Sequence, residues 1–144
     1  MTPSVQQILM GVGASLAAPA PPEAAGDYMA SKIGMIASMS MLAAQEADRA
    51  VPVRLAENAA IRALFRRAAG TSYDADLSGA LSQAVDTPDD NLAVSALDRA
   101  NAGLRRLLIS LHTAVEAAND TALDHHILRL YAEMAAGRSL ALGR

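Results

Sequence analysis

The chain has no cysteine and no tryptophan, and its aromatic residues are one phenylalanine and three tyrosines among 144 residues. Without cysteine there is no disulfide framework, no thiolate metal site and no cysteine nucleophile, a composition that fits a reducing compartment. Runs of β-branched and aromatic residues are missing too, so no stretch reads as a strand. Nor is there a surplus of positive charge. Twelve basic against fifteen acidic residues give a net charge of -3 and a pI near 5.5, which argues against a general binder of nucleic acid or of an anionic membrane.

What is present is helix-forming material. Hydrophobic residues make up 52% of the chain, and because Ala, Leu, Met and Ile supply most of them, the interior must be built from closely packed helices. At this length a single core is the default. The predicted fold is all-α: an irregular bundle of five to six helices with no β-sheet, forming one domain over 1–144. Residues 1–22 contribute a first helix and a Pro-rich connector, and 23–144 the main bundle.

The first helix is predicted to start with Thr2 as N-cap and Pro3 at the first helical position, where a missing N–H costs nothing. It runs to about Leu16 or Ala18, before the stiff connector Ala18-Pro19-Ala20-Pro21-Pro22. Its apolar stretch resembles a signal peptide, yet no Lys or Arg precedes it. A short amphipathic helix and a cytoplasmic location are therefore expected.

The second helix, 27–49, contains the charge-free run IGMIASMSMLAAQ at 33–45, too short to span a membrane. A helix apolar on most sides must be covered on most sides. Met29, Ile33, Ile36, Ala43 and Ala47 are predicted to be its inward seam, widened by Met35, Met39 and Leu42. The opposite face, Ser31, Gly34, Ser38, Met41 and Gln45, is small or uncharged and is the predicted interface for another backbone.

Val51-Pro52 reads as a break, followed by a third helix to Ala69 with Gly70 as its stop. A fourth helix spans 74–85, with Leu77, Leu81 and Val85 inward. Thr87 then reads as an N-cap, with Pro88 as first helical residue and Asp89 and Asp90 in the first turn, where the helix dipole favours negative charge. This fifth helix carries Val94, Leu97, Asn101, Leu104, Leu108, Leu111, Val115 and Ala118 at alternating spacings of three and four. Asn101, the one polar member, reads as a register-setting buried hydrogen bond. The sixth helix is capped by Asp120 or Thr121, has Leu123, Ile127, Leu130, Tyr131 and Met134 inward, and forms an antiparallel hairpin with the fifth.

The chemistry-bearing residues are few. Glu46, Glu57, Glu116 and Glu133 are followed three places on by Arg49, Ala60, Asn119 and Ala136, so no Glu-x-x-His pair exists and a ferritin-like centre is rejected. His112 and Glu116 lie one turn apart and could meet His126 across the hairpin as a weak His/carboxylate metal candidate; boundary histidines are the preferred explanation. No phosphate loop and no nucleophile held by a base can be read. Arg54, Arg62, Arg66 and Arg67 make 53–69 the most basic stretch, too weak a footprint for a recognition helix in an acidic chain. Gln45, Glu46, Asp48 and Arg49 on one side, and Arg54, Glu57, Asn58 and Arg62 on the other, are expected to gather about Val51-Pro52 as a structural network.

Two functions follow as expectations. The first is a non-enzymatic helical interaction or scaffold module, without cofactor, that self-associates as a dimer through apolar helix faces and has room for a further protein partner. The alternative is a small-molecule binding protein or enzyme for an anionic or apolar ligand, with a Met-lined pocket including Met39, and with Asn58, Arg62, Arg66 and Asn101 as binding residues, Arg62 and Asn58 at its mouth. Neither reading involves nucleic acid or a membrane.

Overall fold

The computed structural model describes residues 3, 5–17, 25–69 and 74–140. Among these the order is α1 (Val5–Ala17), α2 (Ala25–Ala68), α3 (Ala75–Asp86), α4 (Val94–Ala117) and α5 (Thr121–Gly137), with no strand. The all-α expectation holds. Thr2, the Pro-rich connector, Gly70 and Leu142 lie outside the described residues, and Pro3 stands two residues ahead of α1 rather than in its first turn.

Val51-Pro52 does not break the chain into two helices, because Pro52 stands inside the 44-residue α2. A proline in a helix removes one N–H and crowds the carbonyl four residues back, a local loss. The Ala- and Leu-rich flanks, helix-forming on both sides, carry the helix through it.

The chain divides into two compact units, Met1–Ala50 with Ser139–Arg144, and Val51–Arg138. In the first, Ile8 of α1 is buried, and a Cβ on Gly11 would stand 3.4 Å from Met39 Cε, so α1 lies against α2 at that point. Arg49 Nη1 donates to the Ser139 carbonyl at 2.9 Å.

The inward face of this part of α2 is only partly the predicted one: Ile36, Met39, Leu42 and Ala43 of the predicted seam do turn in, but Met35 joins the exposed residues. Lys32, Ala43, Glu46 and Ala50 are buried and Ile36 and Met39 half-buried, at spacings of three and four, whereas Met29, Ile33 and Ala47 are exposed. The seam is rotated by part of a turn from the most apolar line. Long Lys and Glu stems can lie along apolar surface, so a charged residue does not exclude a helix position from the inside.

In the second unit Ile61, Leu64, Phe65 and Ala68 of α2 pack with Leu81 of α3, Leu104, Leu108, Leu111 and Val115 of α4, and Leu123, Ile127, Leu130 and Met134 of α5. The predicted seams of α3, α4 and α5 face inward, with Leu77, Val85 and Tyr131 half-buried against the core; only Val94 and Ala118, at the two ends of the α4 seam, are exposed.

Helix α4 starts at Val94, not at Pro88. Thr87 ends α3 instead, its hydroxyl donating to the Gln83 carbonyl at 2.8 Å, and Asn91 Oδ1 accepts from the Ala93 N–H at 2.9 Å. Asp89 is thereby left in a loop, free to point at another helix rather than along a helix axis.

The α4–α5 hairpin closes through Asn119, whose φ of 54° is positive, and Asp120, whose carboxylate caps the Leu123 N–H at 3.0 Å. Asn tolerates the left-handed conformation and β-branched residues do not. Asn119→Val is expected to lower stability by about 1–2 kcal/mol, with Asn119→Gly near neutral, measured by urea unfolding.

Candidate functional site

The polar residues that open the second half of α2 form a buried network with residues far away in sequence. Asn58 is fully buried, and Arg54, Glu57, Arg62 and Asn101 are nearly so. A buried polar group must find partners inside the protein, and each of these does.

Arg62 uses its whole fork. Its Nη1 and Nη2 donate to Asp89 Oδ2 and Oδ1 at 2.6 and 3.0 Å, and its Nε donates to the Ala84 carbonyl at 3.1 Å. Asn58 Nδ2 lies 3.2 Å from both oxygens of the same carboxylate. The Arg62 hydrogen bonds hold the Asp89 carboxyl below its ordinary value of 3.8, aided by Asn58 and by the charge of Arg62 and opposed by burial.

The second half of the network centres on Glu57. Arg138, at the C-cap of α5, reaches it with Nε to Oε1 at 2.7 Å and Nη2 to Oε2 at 2.6 Å, and Nη2 also donates to Asn101 Oδ1 at 3.0 Å. Asn101 Nδ2 donates to Glu57 Oε2 at 3.0 Å and to Asn58 Oδ1 at 2.9 Å, linking the two halves. One turn up, Arg54 Nε donates to Asp98 Oδ1 at 2.6 Å.

The structure thus brings Asn58, Arg62 and Asn101 together but engages them with acids of the same unit. Arg66 is exposed, and Met39 belongs to the other compact unit. Each of the three arginines of this network, Arg54, Arg62 and Arg138, faces its own carboxylate, an arrangement that neutralises charge and fixes helix positions.

A comparison with protein-family models, curated proteins and solved structures finds no match. The residues therefore have to be judged on their own geometry.

The histidines separate. His112 Nε2 on α4 lies 2.8 Å from Asp124 Oδ1 on α5 and 3.8 Å from Glu116 Oε1 one turn along α4. His126 does not join them. It stands between Arg67 Nη2, 3.0 Å from its Nε2, and Arg129 Nη2, 3.0 Å from its Nδ1. The Arg67 charge, with lesser contributions from desolvation, Arg129 and His125, holds its imidazole below the usual 6.5. Beside His112 the Tyr131 ring lies at a centroid distance of 5.7 Å, and burial pushes the Tyr131 phenol up from 10.0.

Of the predicted interface residues, Ser31, Gly34 and Met41 are exposed and Ser38 and Gln45 half-buried. Next to them runs a second, more apolar exposed line, Met29, Ile33, Ala37 and Ala44, with Ser40 between. It includes residues expected to be inside. Asp89, Asp98, Arg138 and Asp124 were not singled out as site residues from the sequence; Asp89 and Asp98 meet α2 from the far side of a loop and from α4, where local periodicity carries no signal.

Among the described residues, no helix is long and apolar enough to cross a membrane.

Proposed function

We propose that this chain is a non-enzymatic helical interaction module that self-associates as a homodimer through the outward face of α2. The observation that carries the reading is the uncharged exposed stripe of Met29, Ile33, Gly34, Ala37, Ser40, Met41 and Ala44. Ile33 is 62% exposed, Met41 50% and Met29 46%. Single exposed apolar residues are ordinary, but a contiguous stripe about four turns long, free of charge, has the character of a contact surface.

Gly34, Ala37 and Ala44 keep the stripe low, so a second helix can approach closely, while methionine adapts to the shape it meets. The same face on two copies gives a self-complementary, two-fold contact. We place this module in the cytoplasm, in keeping with its cysteine-free composition.

Light scattering on the eluting peak of a size-exclusion column tests the assembly. The full chain at high concentration is expected near twice its 14.9 kDa mass, and the double variant Ile33→Asp/Met41→Lys at the monomer mass with an unchanged helical circular dichroism spectrum. A wild-type chain that stays monomeric, or a double variant that stays dimeric, overturns the reading.

A further inference from the structure

We propose that the α4–α5 hairpin binds a divalent transition-metal ion of the zinc class through His112 Nε2 and the carboxylates of Glu116 and Asp124. Two of the ligands come from one face of α4, a turn apart, and the third from the first turn of α5. The donor atoms all lie within 4.8 Å of one another, a spacing that lets them converge on one ion with modest side-chain adjustment at metal–ligand distances of about 2.0–2.2 Å.

Hydrogen-bond arithmetic points the same way. Nε2 offers one proton at most, and the Asp124 contact at 2.8 Å takes it. Glu116 Oε1, 3.8 Å from the same nitrogen, is left without a proton from the imidazole. With the proton on Nδ1 instead, Nε2 carries a lone pair beside two carboxylates, three lone-pair donors within 4.8 Å of one another. A dication satisfies all three and cancels two negative charges, which one proton cannot do.

The donor set selects the ion. Imidazole nitrogen with two carboxylates suits zinc and its neighbours better than magnesium or calcium, which take oxygen ligands. The hairpin supplies rigidity: Asn119 sets the turn, Asp120 caps α5, and the Tyr131 ring lies against the His112 imidazole. The Glu116 side chain is 66% exposed against 20% for His112, so the ion would enter from the Glu116 side and keep water in its remaining positions. These three residues lie in α4 and α5, and none of them belongs to the α2 stripe.

The test is calorimetric titration of zinc chloride into tag-free, chelator-stripped full-length protein, with thermal unfolding in parallel. One zinc per chain is expected, with a rise in Tm, and no comparable heat from magnesium or calcium. Even an outer-shell partner is worth roughly tenfold or more in metal affinity, so His112→Ala and Asp124→Asn are each expected to weaken binding at least about tenfold. Glu116→Gln, at an exposed position where folding is not at stake, is expected to do the same, and His126→Ala to leave binding unchanged. Absence of zinc binding by the wild type, unchanged binding in Glu116→Gln, or loss of binding in His126→Ala would each overturn the site.

Discussion

Asp89→Ala is expected to destabilise the Val51–Arg138 unit by about 3 kcal/mol, because removing one partner of a buried ion pair leaves the other charge buried and uncompensated. The Asp89 and Arg62 side chains are 8% and 11% exposed, so the orphaned guanidinium has little access to water. The carboxylate also serves Asn58, whose amide would lose its acceptor at the same time. In a unit of this size the loss corresponds to a fall in Tm of more than about 10 °C. Replacing both charges, as in Arg62→Met/Asp89→Leu, is expected to recover part of the stability, since a buried pair exchanged for apolar side chains avoids the desolvation cost. Recovery stays incomplete, because the Ala84 carbonyl loses the Arg62 Nε donor.

The same pair predicts a pH dependence whose sign follows from linkage. The folded-state pKa of Asp89 lies below its ordinary value of 3.8. Its contribution is therefore present above that value and is lost as the pH falls through the lower, folded-state value. The stability gap between wild type and Asp89→Asn, measured by urea unfolding, should accordingly be wide at pH 7 and narrow on the acid side of pH 4. A gap that stays constant would mean that Asp89 is not ionised against Arg62.

Much of this fold could be read from the residues, for a physical reason. Leu97, Asn101, Leu104, Leu108, Leu111 and Val115 are buried as their spacing predicts, because helical periodicity is local and a large apolar side chain on a regular stripe has few alternatives to the core. Where the stripe is made of small or flexible residues the signal weakens. Around 33–45 nearly every face of the helix is apolar, so composition could not say which one turns in, and the buried line includes Lys32 and Glu46 rather than Ile33.

The polar network was only half legible. Asn58, Arg62 and Asn101 stand out as polar residues beside apolar stripes, but their partners Asp89 and Arg138 lie 27 and 37 residues from Arg62 and Asn101. Nothing local marks such a pairing. Asp89 follows Thr87-Pro88, and that tripeptide reads equally well as a helix start; the choice was made by the bidentate contact to Arg62, a tertiary interaction worth more than a dipole contact at a helix end. His112 and Asp124 were separable from His126 only once the hairpin fixed which side of α5 faces α4.

The network's other half yields the second large effect, and its two partners should not behave alike. Arg138→Ala leaves the Glu57 carboxylate, 5% exposed, with the Asn101 amide but without its bidentate guanidinium. The cost is expected at about 3 kcal/mol, as for other broken buried pairs. Glu57→Gln removes the charge while keeping an acceptor oxygen for Arg138, and the Arg138 side chain, 22% exposed, can recover solvation, so about 1–2 kcal/mol is expected for the changed hydrogen bonds. Arg138→Lys should restore only part of the loss, because one ammonium cannot repeat a two-point fork that also reaches Asn101. The double variant Glu57→Gln/Arg138→Ala is then expected to cost less than the sum of its parts by at least about 0.5 kcal/mol, since Glu57→Gln removes the charge that Arg138→Ala strands. Equal single-variant costs that simply add would instead mean that Arg138 stabilises the end of α5 by packing, and that Glu57 is held by Asn101 alone.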